Sequence, residues 1–233
     1  MCIRDSNYIL AGLIIEAASG LSYEQALTTM ILEPLGLGDT FYANGSHPGP
    51  AAAAPVLERV PRALFLLKDC LDYQPQPCHK STLAPLLGKD MRTQNLSWAA
   101  EAGAILSTPH DLARWIRAVF DKRVFPETQL DEMTTLVSQK TGLPIRDVTP
   151  DDPRGFGLAL GRMYREDLGG AYWFYEGETM GFRSIFVYWP QYDLVITGAV
   201  NSRPPNGEDH FGSALMFDAF MVLQRAHLLD AAK

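Results

Sequence analysis

Residues 171–200 read AYWFYEGETMGFRSIFVYWPQYDLVITGAV and carry the pattern on which the fold depends. Three runs in this stretch, residues 171–176, 183–189 and 194–200, are rich in aromatic and β-branched side chains. Turn-forming residues such as Gly177, Gly181 and Pro190 separate them. This composition is typical of β-strands joined by short connections, so we expect three consecutive strands here.

The flanking segments predict how these strands are covered. Residues 155–160 indicate one more strand upstream, and residues 209–229 have a helical pattern. The side chains expected on the inner face of that helix are Leu215, Phe217, Phe220, Met221 and Leu223. Strands in sequence followed by a helix predict an α+β fold, in which helices flank an antiparallel sheet.

Two helices are expected near the amino terminus. Apolar residues at helical spacing predict a first helix that stops at Gly20. Ser22 and Gln25 have the spacing of a capping box, which predicts a second helix over residues 23–33, before Pro34. These helices would belong to a helical subdomain.

The middle of the chain predicts two more helices. Thr108 is a favourable N-cap, and Pro109 suits the first position of the helix that follows. A shorter helix is expected over residues 126–137. Residues 46–96 contain seven prolines and predict a long connection, with one short helical run over residues 62–71.

Composition excludes several classes of partner. The 233 residues include 20 basic and 27 acidic side chains, which give a net charge of −7. This acidic balance argues against binding to nucleic acid or to an anionic membrane surface. The sequence contains no apolar stretch long enough for a transmembrane helix. No Cys/His group has zinc-ligand spacing, and no phosphate-binding glycine motif occurs, so neither a metal nor a cofactor is predicted.

The amino terminus has an unusual beginning. Residues 1–6 (MCIRDS) run directly into a helical pattern and resemble sequencing-adapter read-through in translated environmental DNA. We therefore expect residues 1–6 to be a foreign prefix and residues 7–233 to be a partial domain. The alternative is a natural short start. Cys70 and Cys78 lie in the Pro-rich connection and are able to pair in an oxidising compartment.

Motifs for catalysis are sparse. The sequence contains neither a G-x-S-x-G elbow nor an S-x-x-K pair. Lys140-Thr141-Gly142 does spell K-T-G, but we interpret it as the end of a surface helix, with Gly142 as the cap.

The segment Tyr175-Glu176-Gly177-Glu178-Thr179 is more informative than the K-T-G triplet. Gly177 there permits close approach of a substrate or of another backbone. Glu178 and Thr179 would form an exposed tip. The alternative interpretation is a plain hairpin with a glycine bulge.

Several segments together resemble the serine β-lactamase and DD-peptidase superfamily, in its branch of class C β-lactamases and D-alanyl-D-alanine carboxypeptidases. Residues 7–16 (NYILAGLIIE) are similar to the helix after the family's Y-x-N motif. Residues 31–42 (ILEPLGLGDTFY) are similar to its PLGL…T turn, and residues 102–113 (AGAILSTPHDLA) to the start of a later helix. The resemblance implies a β-lactamase/transpeptidase-like fold, with its first strands and nucleophile helix missing from this chain.

The resemblance also implies roles for individual residues. The family's Y-x-N position falls on Ile3, Arg4 and Asp5, which contain neither Tyr nor Asn, and S-x-x-K would lie further upstream. The third motif, K-T-G or H-x-G, maps to Tyr175-Glu176-Gly177 as substrate-binding residues. The backbone N–H of Glu178 would be the oxyanion donor, and thus the catalytic group present in this chain.

Tyr175 departs from the family's usual Lys or His. A phenol carries no positive charge at neutral pH, so recognition of a β-lactam carboxylate is weakened. Glu176 or Glu178 would instead favour a cationic substrate group. The resemblance does not choose between a β-lactam, a D-amino-acid peptide and a small ester as the substrate.

Two interpretations of function follow. The first is a fragment of a serine hydrolase that forms an acyl-enzyme with a small-molecule or peptide substrate, the fragment itself being inactive without its nucleophile. The second is a non-catalytic binding or scaffold protein with the penicillin-recognising fold. The resemblance implies a periplasmic or other extracytoplasmic location for the parent protein.

Overall fold

The computed structural model of the chain describes residues 3–43, 84–91, 96–179, 181–201 and 211–229. Among these residues, no helix is both long enough and apolar enough to cross a membrane. The predicted helical run over residues 62–71, together with Cys70 and Cys78, lies outside the described residues.

The described chain contains six α-helices and nine strands, supplemented by short 3-10 and π-helical turns. The helices are α1 (Ile3–Ser19), α2 (Tyr23–Leu27), α3 (Glu33–Leu35), α4 (Pro109–Phe120), α5 (Glu127–Thr134) and α6 (Phe211–Arg225). The strands are β1 (Phe41–Tyr42), β2 (Ile105–Leu106), β3 (Leu136–Ser138), β4 (Pro144–Ile145), β5 (Arg154–Phe156), β6 (Gly161–Arg165), β7 (Gly170–Thr179), β8 (Phe182–Trp189) and β9 (Leu194–Val200).

The chain divides into two compact units. The first holds the described residues up to Asp111, together with the strand ends at Glu178 and Arg183. The second holds most of residues 112–199 and helix α6.

The first unit begins with the expected pair of helices. Helix α1 already includes residues 3–6, the segment interpreted as a foreign prefix, and it stops at Gly20, whose φ of +70° favours glycine. The predicted capping box is confirmed, because the Gln25 N–H donates to Ser22 Oγ at 3.2 Å and the Ser22 N–H donates to Gln25 Oε1 at 3.1 Å. Both signals act within a few residues, which is why the sequence reveals them.

The second helix ends later than expected. Helix α2 continues through a π-helical turn (Thr28–Leu32) into α3, so the helical path passes Pro34 and ends at Leu35. A wider turn immediately before a proline moves the backbone away from the proline ring, which would otherwise meet the carbonyl of the preceding turn. Gly36 then stops the helix in the left-handed region.

Helix α4 begins at its predicted N-cap. The Asp111 N–H donates to Thr108 Oγ1 at 3.2 Å. The buried carboxylate of Asp111 accepts hydrogen bonds from the Asp39 N–H and the Thr40 hydroxyl, each at 2.9 Å. Asp111 therefore connects the start of α4 to the turn that precedes β1.

The second unit is built around a seven-stranded sheet with the order β4-β3-β5-β6-β7-β8-β9. Every pair with a described register is antiparallel. The prediction for residues 155–160 was only partly right, because β5 stops at Phe156 and a turn with Ala159 at φ +59° leads into β6. Strand β6 had no predicted counterpart.

The prediction around residues 126–142 was partly wrong. Helix α5 stops at Thr134, and Val137 belongs to strand β3. Lys140 and Gly142 lie in the turn between β3 and β4 instead of ending a helix. In this turn Ser138 Oγ accepts the backbone N–H of Lys140 at 3.0 Å. The buried Ser138 thus gives the K-T-G triplet a structural explanation.

Helices cover the two faces of the sheet within this unit. On one face α6 contributes Met216 and Phe220 to a core that contains Tyr172 and Trp189. Leu215 was expected on the inner face of α6 but is 45% exposed. Its neighbour Met216 lies in the core instead, so the predicted apolar stripe was displaced by one residue at this end of the helix. The core of the other face includes buried residues from α4, β3, β7 and β8 and from the turn before β6, namely Ile116, Leu136, Leu160, Trp173 and Phe186.

Candidate active site

Four predicted site residues lie consecutively near the end of strand β7, which runs without interruption to Thr179. Side chains of a strand alternate between its two faces. Tyr175 packs with Trp173 on the α4 face, whereas Phe174 packs on the α6 face. Glu176 and Glu178 follow Phe174 in the alternation and are exposed. The sequence places the four residues together, but their side chains divide between two faces.

Gly177 allows strand β8 to approach β7 closely. A Cβ atom at Gly177 would lie 3.0 Å from Ser184 Oγ, tighter than nearly all ordinary contacts of a Cβ atom. The expected approach of a substrate or of another backbone is not what this contact shows, because the nearest atom belongs to the Ser184 side chain of the neighbouring strand. Gly181, with φ +77°, lies in the connection between β7 and β8. The two strands thus form a hairpin, as one interpretation of the sequence expected, but β7 continues through Glu178 and Thr179, which were expected at the exposed tip.

The pairing of β6 reveals which way the backbone groups of β7 point. The Tyr164 N–H donates to the Pro153 carbonyl at 2.9 Å, so Tyr164 directs its backbone groups towards the β5 side. The backbone N–H and C=O groups of successive residues in a strand point to alternate sides, so those of Met163 point towards β7. Its partner Tyr172 must in turn direct its N–H and C=O towards β6.

Strand β7 extends beyond its partner β6. The last described pair between these strands is Gly161 with Phe174, and β7 continues for five residues, from Tyr175 to Thr179. By the same alternation, the N–H groups of Glu176 and Glu178 point to the side of β7 away from β8. The Glu178 N–H therefore points to the side of β7 on which β6 lies, at a position past the last described pair of these strands.

An ion pair fixes the Glu178 side chain. An Arg183 guanidinium nitrogen (Nη2) lies 2.8 Å from Glu178 Oε1, and the exposed fractions of the two side chains are 11% and 39%. The sequence analysis did not single out Arg183. The available signal was a pair of opposite charges that flank a short connection between two predicted strands.

The charge near the end of β7 is therefore uneven. Arg183 neutralises Glu178, and Glu176 adds a further carboxylate on the same face. Tyr175 contributes a phenol at the position that the sequence resemblance relates to a cationic residue. Within the described ranges, no three His, Cys, Asp or Glu side chains come together as a possible metal site. The chemistry available in this part of the chain is hydrogen-bond donation and carboxylate charge.

The remaining motif positions lie elsewhere. Ile3, Arg4 and Asp5, onto which the family's Y-x-N motif falls, occupy the first turn of α1. Lys140-Thr141-Gly142 forms the turn between β3 and β4 described above. These placements leave the end of β7 as the candidate site within the described chain.

Comparison with solved structures shows the same fold. A D-stereospecific amidohydrolase from Streptomyces sp. is 26% identical with a TM-score of 0.61, over 84% of this chain and 49% of that one. The D-amino acid amidase from Ochrobactrum anthropi SV3 complexed with D-phenylalanine is 22% identical with a TM-score of 0.66, over 94% and 56%. A penicillin binding protein from Bacillus halodurans is 14% identical with a TM-score of 0.57, over 94% and 54%.

The chain spans about half the length of these three structures. A family model agrees with them along almost the whole chain, because the Beta-lactamase model matches residues 4–220. The expected β-lactamase/transpeptidase-like fold, an antiparallel sheet with flanking helices, is confirmed. With this fold and this match, the chain belongs to the beta-lactamase family, whose members are serine hydrolases and their relatives.

Proposed function

We propose that this chain is part of a longer serine hydrolase and that residues 7–233 supply the oxyanion side of its active site. The observation that carries the proposal is the direction of the Glu178 N–H. This N–H points away from β8, in the part of β7 that extends beyond the end of β6. The nucleophilic serine and its lysine would come from a preceding part of the protein. Matched structures of about twice the length support that division.

The reaction would proceed by acyl transfer. The serine attacks the substrate carbonyl, and the resulting oxyanion accepts a hydrogen bond from the Glu178 N–H. Collapse of the tetrahedral intermediate expels the leaving amine or alcohol and leaves an ester with the serine. Water then hydrolyses this ester through a second tetrahedral intermediate that uses the same N–H donor.

The charge of the site favours an amide of a D-amino acid over a β-lactam. Tyr175 supplies no positive charge for the carboxylate of a β-lactam. Glu176 supplies a carboxylate for an ammonium group, which D-amino-acid amides carry at neutral pH. The structural similarity to a D-stereospecific amidohydrolase and to a D-amino acid amidase supports this choice. Small esters are the next candidates, because they need no charged contact.

The test compares the 233-residue chain with the longer product of its gene. We expect the longer protein to hydrolyse D-phenylalanine amide faster than L-phenylalanine amide, a chromogenic cephalosporin or a p-nitrophenyl ester. A fluorophosphonate should label the longer protein and leave the 233-residue chain unlabelled, because its sequence has no S-x-x-K serine.

The same experiment distinguishes a serine hydrolase from the alternative, a non-catalytic binding or scaffold protein. A longer protein that contains no S-x-x-K serine, hydrolyses none of the four substrates and takes up no fluorophosphonate would be a binding or scaffold protein. The absence of S-x-x-K from these 233 residues is the observation that favours this second candidate. Labelling of the 233-residue chain itself would contradict the division of the active site proposed here.

We also propose an extracytoplasmic location for the parent protein, on the basis of its family. A fusion of the complete gene to a reporter that is active only outside the cytoplasm tests this location. Activity of the reporter is expected, and an inactive fusion of normal abundance would contradict the proposal.

A further inference from the structure

Arg183 and Glu178 form an ion pair at the residue that carries the proposed oxyanion donor. Arg183 lies on β8, and its side chain is 11% exposed, so the guanidinium is held largely within the protein. Its Nη2 atom is 2.8 Å from Glu178 Oε1. An ion pair that is half withdrawn from water has a more definite geometry than one between two fully exposed side chains.

The backbone direction at Glu178 gives this ion pair a particular importance. The N–H and C=O of Glu178 point away from β8, as the alternation along β7 requires. In an antiparallel pair of strands, opposite residues whose backbone N–H and C=O groups point away from each other exchange no backbone hydrogen bonds. The side chains of such residues lie closer together than those of hydrogen-bonded pairs. The Arg183–Glu178 contact therefore joins the two strands through side chains at a residue whose own backbone groups point away from β8.

The same contact affects the charge beside the proposed oxyanion. A carboxylate on the residue that donates the N–H would repel a negatively charged oxygen. Arg183 places a positive charge against that carboxylate and cancels most of the repulsion. A glutamate at this position is therefore compatible with oxyanion stabilisation when Arg183 accompanies it.

We propose that Arg183 is a positioning residue, which anchors the Glu178 peptide and neutralises the Glu178 side chain so that the Glu178 N–H can bind an anionic oxygen. This inference rests on the proposed function, because it assumes the role of the Glu178 N–H. It assigns Arg183 an effect through Glu178 and no direct contact with substrate.

The test uses the ¹⁵N-labelled 233-residue chain, with D-phenylalanine as the probe because its carboxylate resembles the product of amide hydrolysis. Arg183→Met removes the charge and keeps an apolar side chain, Arg183→Lys keeps the charge, and a double variant combines Arg183→Met with Glu178→Gln. Arg165→Met is the control, since it breaks a more exposed ion pair with Asp167 near the far end of β6.

Two quantities are measured for each variant. The first is the order parameter of the Glu178 amide, which should fall from a rigid value of about 0.85 to below about 0.6 in Arg183→Met. The second is the dissociation constant for D-phenylalanine from the shift of that amide, which should rise about fivefold, the effect expected for loss of one partly exposed ion pair. Arg183→Lys and the Arg165→Met control should stay near the original protein in both quantities.

The double variant identifies the role of charge. In the double variant, removal of the Glu178 charge should restore the affinity for D-phenylalanine, while the order parameter of the amide stays low. A purely structural role of Arg183 would not produce this recovery of binding. Unchanged order and binding in Arg183→Met would overturn the proposal, as would a double variant that binds no better than Arg183→Met. A third outcome is that the Glu178 amide of the original protein does not shift on addition of D-phenylalanine, although Arg183→Met lowers its order parameter. In that case the oxyanion assignment fails and the anchoring by Arg183 stands.

Discussion

Asp111 shows how one carboxylate connects segments that are distant in sequence. Its side chain is almost fully buried, and Oδ2 accepts hydrogen bonds from the Asp39 N–H and the Thr40 hydroxyl. The sequence predicts only a helix N-cap at Thr108 and does not reveal these two distant donors. A buried carboxylate is tolerated when it is paired, and removing it takes a charged acceptor from both the Asp39 N–H and the Thr40 hydroxyl.

Replacing Asp111 should therefore destabilise the protein. We expect Asp111→Ala to lower the free energy of unfolding by about 2–3 kcal/mol, because two hydrogen bonds to a buried, charged acceptor are lost. Asp131→Ala, at an exposed position of α5, is the matched control and should change it by less than about 0.5 kcal/mol. Urea unfolding measures both. Equal effects of the two substitutions would show that the Asp111 contacts do not stabilise the fold.

Strand β6 packs closely against β7 at a glycine that lies opposite an aromatic ring. Gly161 lies opposite Phe174, and a Cβ atom at Gly161 would approach a ring carbon of Phe174 to 2.6 Å. Phe174 packs in turn against the core that contains Tyr172 and Trp189. The absence of a side chain at Gly161 thus allows the aromatic ring to lie over the strand.

A methyl group at this position should be costly. Gly161→Ala is expected to reduce the free energy of unfolding by about 1–3 kcal/mol, because Phe174 has to leave its place in the core. Gly38→Ala is a suitable control, since a Cβ there meets no atom within 4 Å. The control should be neutral or stabilise by up to about 1 kcal/mol. Thermal and urea unfolding distinguish the two, and a neutral Gly161→Ala would contradict the packing argument.

The connection between β4 and β5 is attached to β6 by a second ion pair. Arg162 Nε lies 3.1 Å from Asp147 Oδ1, and the guanidinium carbon of Arg162 is 4.8 Å from the centre of the Trp173 ring. Burial by itself would raise the pKa of Asp147, but hydrogen bonds from Arg162 and from the Val148 N–H hold that pKa below its ordinary value. The ionised carboxylate is therefore the form that the folded protein favours.

This lowered pKa predicts a pH dependence of stability. A carboxyl group whose pKa is lower in the folded state stabilises the protein above its unfolded pKa, and the contribution is lost as the pH falls through the folded pKa. The stability difference between the original protein and Asp147→Asn should thus be largest above about pH 5 and shrink below about pH 4.

Urea unfolding at a series of pH values checks this expectation. Arg162→Met provides the control, because without the guanidinium partner the pH-dependent part of the Asp147→Asn effect should be much smaller. A difference between the original protein and Asp147→Asn that stays constant from pH 7 to pH 3 would contradict the assigned cause.

Helix α1 presents an apolar surface to solvent. Leu10, Leu13 and Ile14 are 56%, 53% and 67% exposed, although they lie close together at helical spacing. Clustered apolar side chains of this kind are unusual on the surface of soluble monomers and promote association. Single exposed residues such as Leu158, which is 66% exposed, are ordinary.

The 233-residue chain should therefore self-associate through α1. We expect the apparent mass in solution to increase with protein concentration, and the double substitution Leu13→Lys and Ile14→Lys to bring it closer to that of the monomer. Leu158→Lys, which adds charge at an isolated exposed position, should leave the association unchanged. Light scattering coupled to size-exclusion chromatography measures the mass, and a monomer at all concentrations would count against an associating surface on α1.

Much of the local structure could be predicted because its causes are local. The stop at Gly20, the capping box at Ser22 and the N-cap at Thr108 each depend on residues a few positions apart. The strand over Leu194–Val200 was predicted with its observed bounds, because a long run of β-branched residues leaves little ambiguity. Short strands were missed, since β3 and β6 gain stability from partners elsewhere in the sheet.

The same distinction applies to the candidate site. Residue types and order identify Tyr175, Glu176, Gly177 and Glu178 as a segment and relate them to a family, since covalent sequence is enough for a motif. Sheet pairing decides that the Glu178 N–H points beyond β6, because backbone direction depends on the neighbouring strand. Folding likewise brings Arg183 against Glu178 and Thr40 against Asp111, since each contact needs a distant segment to be in place.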